Sequence, residues 1–160
     1  MRVAGIDFSS LAVDIVTVPL DHGAPIWHRF PLTGRGSFDR ARSVADSVPG
    51  RSSVLWDDIL AVGIEEPIGK FKPGLGFRIQ GAVLAQIPAR MLVEPFPPAK
   101  WRKAVGLPGN ASKAEVAEHA IVDLHSHGAL WTLRDNGQDC LDAYCIALAT
   151  RAAITTEKAA

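Results

Sequence analysis

The sequence predicts an α/β fold: a five-stranded mixed sheet, three antiparallel strands followed by two parallel ones, flanked by helices. Three observations predict it. The first 32 residues hold three short runs rich in β-branched residues and separated by turn signals. Two later apolar runs each follow a stretch of helical periodicity, and beyond them the chain reads as helix to its end.

Val3 to Asp7 is a short apolar run that stops at a carboxylate, with a turn at Phe8, Ser9 and Ser10. Leu11 to Val18 is a second strand interrupted by Asp14, and "DHGAP" turns the chain into a third, Ile26 to Leu32. Short connections make these three a meander. Ser37 can cap a helix in which Phe38, Ala41, Val44, Ala45 and Val48 recur at helical spacing, and Pro49-Gly50 ends it. Ile59 to Ile64 is a buried fourth strand that stops at Glu65 and Glu66. After the loop "PIGKFKPGLG", a helix over 75–88 carries Ile79, Val83, Leu84 and Ile87 along one side, a stripe that serves as a subunit interface or faces the sheet. Arg90 to Glu94 is the fifth strand, closed by "PFPPAK".

"AKWRKAVG" then reads as a short basic helix. Ser112 and Glu115 have the spacing of a capping box for a helix running toward Gly128. "RDNG" breaks the pattern before a last helix opening near Asp139. Because each crossover is helical, strands four and five should run parallel to strand one.

At 160 residues the chain suits one domain, expected over 1–154, with a polar tail at 155–160. No apolar run approaches the roughly 20 residues of a membrane helix, so no membrane partner is expected and the protein reads as cytoplasmic. Cys140 and Cys145 are five apart, a spacing that suits neither a zinc knuckle nor a local disulfide, and read as reduced packing residues. The net charge of zero conceals an asymmetry. From Lys70 to Lys113 eight basic residues (Lys70, Lys72, Arg78, Arg90, Lys100, Arg102, Lys103, Lys113) face the single acid Glu94, a net +7 that the remainder balances with −7. A basic middle beside acidic ends suits a surface that meets a polyanion while carboxylates hold cations nearby.

If strand four lies beside strand one, Asp7 and Glu65 meet at the strand ends, and a last helix packed there by its N-terminus adds Asp139 and Asp142. Four converging carboxylates raise one another's pKa and need cations. Two Mg²⁺ ions about 4 Å apart would relieve this and create a phosphodiester hydrolysis site. The spacing of His119, His125 and His127 lacks the pair four apart that a helical zinc site uses.

"VAGIDFSS", "VGIEEPIG", "ASKAEV" and "DCLDAYCIA", in that order across nearly the whole chain, resemble the RuvC-type Holliday junction resolvases of the ribonuclease H-like superfamily. The resemblance implies a ribonuclease H-like fold and a homodimer that cuts four-way DNA junctions by paired nicks. It implies two Mg²⁺ per active site, with Mn²⁺ able to substitute. Carried over, Asp7, Glu65, Asp139 and Asp142 become metal ligands and Lys113 a basic residue near the scissile phosphate. "PPAKWRKAVG" resembles the family's basic stretch, leaving the choice among Lys100, Arg102 and Lys103 open with Lys103 favoured; Lys70 and Lys72 join them as DNA-binding candidates. Glu65 is preferred to Glu66 because the family has an apolar residue and then Glu. Pro67-Ile68, with Phe71 further on, departs from the family's bulky residue after that acid and puts the mode of junction opening in question. Trp101, inside the basic segment, is a candidate for stacking on bases.

An actin-like ATPase shares the opening "GIDFSS" but needs two lobes, which 160 residues do not supply. A nuclease for flaps, forks or RNA–DNA hybrids, and a non-catalytic branched-DNA-binding module, are the remaining rivals.

Overall fold

The computed structural model describes residues 1–67 and 73–157. Its sheet has five strands: β1 (Arg2–Phe8), β2 (Ala12–Pro19), β3 (Ile26–Pro31), β4 (Ile59–Glu65) and β5 (Leu92–Phe96), in the order β3-β2-β1-β4-β5. β1–β2 and β2–β3 are antiparallel, while β1–β4 and β4–β5 are parallel, as the short turns and helical crossovers require.

The helices are α1 (Ser37–Ser47), α2 (Pro73–Leu84), α3 (Pro98–Ala104), α4 (Lys113–Ser126), the single turn α5 (Leu133–Asn136) and α6 (Gln138–Glu157). "RDNG" is thus a helical turn and not a break, and Gly137, at φ 78°, supplies the left-handed step into α6. α6 runs to Glu157, past the start of the expected tail, with Thr155 and Thr156 hydroxyls donating to carbonyls four residues back. Ser112 caps α4 as expected: its Oγ accepts from Glu115 N–H at 3.3 Å, and the Glu115 carboxylate accepts from Ser112 N–H at 2.7 Å. α1 starts one residue earlier than its sequence suggests, with Gly36 as the cap and Ser37 inside. β5 shifts two residues toward the C-terminus and includes Pro95, which an edge strand tolerates because one side of it has no ladder to break.

The sheet separates two cores. Ala4, Ile6, Val13, Ile15, Val62 and Ile64 pack under α1 and α2. Val3, Val16, Val18 and Ala61 pack under α3, α4 and α6. Ile79, Val83 and Ile87 are buried in the first core, so that side of the stripe faces the sheet and not a partner; the stripe's fourth residue, Leu84, is exposed, and Phe77 is the other large apolar side chain that α2 leaves exposed. Phe38 and Ala45 of α1 are exposed, while Val44 and Val48 hold that helix down.

α6 is buried along most of its length because its small residues let it settle on the sheet. At Gly5 an added Cβ would run into the Ala143 carbonyl and the Ala147 backbone, and at Gly63 into Thr150, Ile146 and Phe96. Gly5 and Gly63 are register partners on β1 and β4, and each stands two residues before an acid, in Gly5-Ile6-Asp7 and Gly63-Ile64-Glu65. Residues two apart on a strand share a face. The same face therefore receives α6 and, one step further on, carries the acids. Among the described residues no helix is long and apolar enough to cross a membrane.

Candidate active site

Asp7 and Glu65 end the two central parallel strands, and the first turn of α6 brings Asp139 and Asp142 to them. Asp7 is within electrostatic reach of Glu65, Asp142 and Asp139. Neighbouring Glu66 is not part of this set: its N–H continues the ladder to the Phe96 carbonyl at 3.0 Å, and alternation along the strand turns its side chain away from that of Glu65.

Three of the acids have a donor of their own. Phe8 N–H donates to Asp7 Oδ1 at 2.8 Å. The Trp101 indole donates to Glu65 Oε2 at 3.1 Å, and Gln138 Nε2 donates to Asp142 Oδ1 at 2.7 Å. These bonds do not offset the cost of burying charge. Burial, then Glu65, Asp142 and Asp139, hold the Asp7 carboxyl well above the usual carboxylate range. Burial and then Asp142 push Glu65 up to about 7, with Trp101, Arg102 and Lys113 pulling the other way. Asp142 is raised chiefly by burial against Gln138, Lys113 and Arg102.

Two cations complete the cluster. Lys113, the exposed first residue of α4, and Arg102 of α3 are both felt at Glu65 and Asp142. Arg102 lies over the Trp101 ring at 5.1 Å, and its buried Nε has no hydrogen-bond partner. Of the basic residues of α3, Arg102 is thus directed at the acids. Lys103 is exposed, and Lys100 is engaged with Glu94 and the Phe96 ring at the β5 edge. Lys70, Lys72, Ile68 and Phe71 lie outside the described residues. Trp101 is fully buried and cannot stack on bases; its polar N–H braces Glu65 instead.

Four carboxylates without a thiolate or imidazole are the donors that a hard divalent cation takes. Among the described residues, however, no three acidic, histidine or cysteine side chains stand close enough to enclose one ion as they are now turned. Cys140 and Cys145 are free, buried thiols whose pKa values burial raises, consistent with packing roles. The donors Trp101 and Gln138 and the orphaned Arg102 Nε carry no pattern of their own in the sequence. The repeated Gly-Ile-acid does, and it marks both strands that bear the cluster.

No protein-family model matches the chain, and no curated protein matches it. Solved structures do. The Thermus thermophilus RuvC structure is 22% identical with a TM-score of 0.68, covering 98% of this chain and 97% of that one. The T. thermophilus RuvC structure in complex with a Holliday junction substrate gives the same identity and TM-score over 98% and 96% of the two chains. The chain therefore has the RuvC fold, the ribonuclease H-like arrangement that its motifs resemble.

Proposed function

We propose that the protein is a Mg²⁺-dependent, structure-selective DNA endonuclease that acts on four-way junctions as a homodimer. The observation that carries this reading is the convergence of Asp7, Glu65, Asp139 and Asp142 at the ends of the two central parallel strands, beside Lys113 and Arg102. The RuvC fold, shared with a protein whose solved complex holds a Holliday junction, supports it.

In this reading Asp7, Glu65, Asp139 and Asp142 are the residues that would hold two Mg²⁺ ions. When bound, the ions supply a water of lowered pKa and a positive charge at the leaving oxygen. Each of Asp7, Glu65 and Asp142 has a second carboxylate oxygen that its named hydrogen bond does not use. Arg102, whose buried Nε is unpartnered, and Lys113 draw the phosphate backbone over the acids. The hydrogen bonds now held by the acids favour one alternative, a binding module that retains the fold without cutting.

Cleavage of a labelled four-way junction separates these readings, set beside a linear duplex, a flap and an RNA–DNA hybrid. The expected result is paired, symmetric nicks in the junction that vanish with EDTA and with Asp142→Asn. Metal-dependent cutting confined to flaps or hybrids would keep the site and replace the substrate. Binding without cutting, unchanged in Asp142→Asn, would establish the module.

A further inference from the structure

Asp14 interrupts an apolar strand with a fully buried carboxylate. It is the register partner of Asp7, so the two acids share a face of the sheet. A buried carboxylate next to a second one is costly unless it is matched. Both matches come from β3: the Trp27 indole donates to Asp14 Oδ1 at 2.8 Å, and Arg29 Nη1 donates to Oδ1 and Oδ2 at 3.1 and 2.9 Å.

Arg29 is also the register partner of Asp14. Arg29, Asp14 and Asp7 thus form one row across three adjacent strands, and Glu65 ends the next strand. The first turn of α6 overhangs this row, since Asp139 is felt at both Asp7 and Asp14, and Arg29 is felt at Cys140. Asp14 takes a single nitrogen of the guanidinium. The side chain of Arg29 stays 38% exposed, and Nε and Nη2 have no protein partner among the described residues.

We infer that Arg29 contacts a backbone phosphate of the bound nucleic acid on the β3 side of the acid cluster, with Asp14 and Trp27 as the residues that position it. The inference rests on the nuclease reading above and adds the course of the strand. Arg102 and Lys113 flank the cluster beside Glu65 and Asp142, while Arg29 flanks it two strand spacings from Asp7, about 10 Å. A polyanionic strand crossing the acids then meets a cation on either side. The fixed guanidinium suits this because its planar fork can hold Asp14 with one nitrogen and present the others to a phosphate.

The test is the salt dependence of binding to a labelled four-way junction in EDTA, from about 50 to 200 mM KCl, where each lost phosphate contact lowers the slope by about one. Arg29→Met leaves Asp14 buried without its cation, so it is paired with the double variant Asp14→Asn/Arg29→Met. That variant strands no charge and keeps an acceptor for the Trp27 indole. Both should bind more weakly with a slope lower by about one, whereas Arg29→Lys should retain the slope. A double variant that melts like wild type and keeps the wild-type slope would overturn the role of Arg29 while leaving the nuclease reading intact. Wild type that binds and cuts no nucleic acid would overturn both.

Discussion

At the scale of single residues, the candidate site is defined by charges that the fold buries before anything neutralises them. Asp7 carries the largest load, with Glu65, Asp142 and Asp139 all raising its pKa on top of burial. In EDTA, Asp7→Asn is therefore expected to stabilise the protein. Relief of about 1 kcal/mol corresponds to a melting temperature higher by about 2–4 °C in a chain of this size. The same substitution should abolish the stabilisation of wild type by added Mg²⁺. Thermal melts with and without the metal check both halves; because Asn keeps an oxygen for the Phe8 N–H, an Asp7→Asn protein that melts lower in EDTA would contradict the repulsion. The choices left open by the sequence are also made at this scale. Glu65 is the glutamate felt at Asp7, and Arg102 is directed at the acids by stacking on a tryptophan that is itself tied to Glu65.

At the scale of elements, the seating of α6 on β1 and β4 connects packing to the site. Gly5 leaves room for the Ala143 and Ala147 backbone, which cannot yield as a flexible side chain would. Gly5→Ala is expected to cost about 3 kcal/mol, the upper part of the overpacking range, and to lower any nuclease activity by lifting Asp139 and Asp142 from Asp7. At Gly81, on the exposed side of α2, an added Cβ would meet nothing within 4 Å. Gly81→Ala should stabilise by about 0.5–1 kcal/mol through a less flexible unfolded chain and leave activity unchanged. Denaturant melts of the two variants check the contrast. The elements were largely legible: the meander, both crossovers and the capping box follow from turn residues and periodicity, which are local signals. The exceptions have physical reasons. The shift of β5 across Pro95 depends on its being an edge strand, and the outward turn of Phe38 depends on where α2 leaves room.

At the scale of the whole molecule, the buried acids make metal-free stability depend on pH. Glu65 has a pKa of about 7 in the folded protein against an ordinary 4.5, so the folded state holds that proton more tightly. The corresponding stability is complete below 4.5 and is lost as pH rises through about 7. In EDTA, the melting temperature should fall between about pH 5 and pH 8, and Glu65→Gln should flatten part of that fall. Calorimetry across this range checks the sign; a melting temperature that rises over the same interval would contradict the burial of a neutral Glu65.

The amino-acid sequence by itself determined the order and kind of most elements, the acids that close strands one and four and open the last helix, and the basic stretch, because each is written in neighbouring residues. The tertiary structure alone decided which cation of α3 faces the acids, and that Trp101 braces Glu65 from within the core. It also turned Asp14, on the sequence only a flaw in an apolar strand, into the anchor of Arg29. Those outcomes depend on the face a side chain takes and on what packs over it, and both are fixed by contacts between segments far apart in the chain.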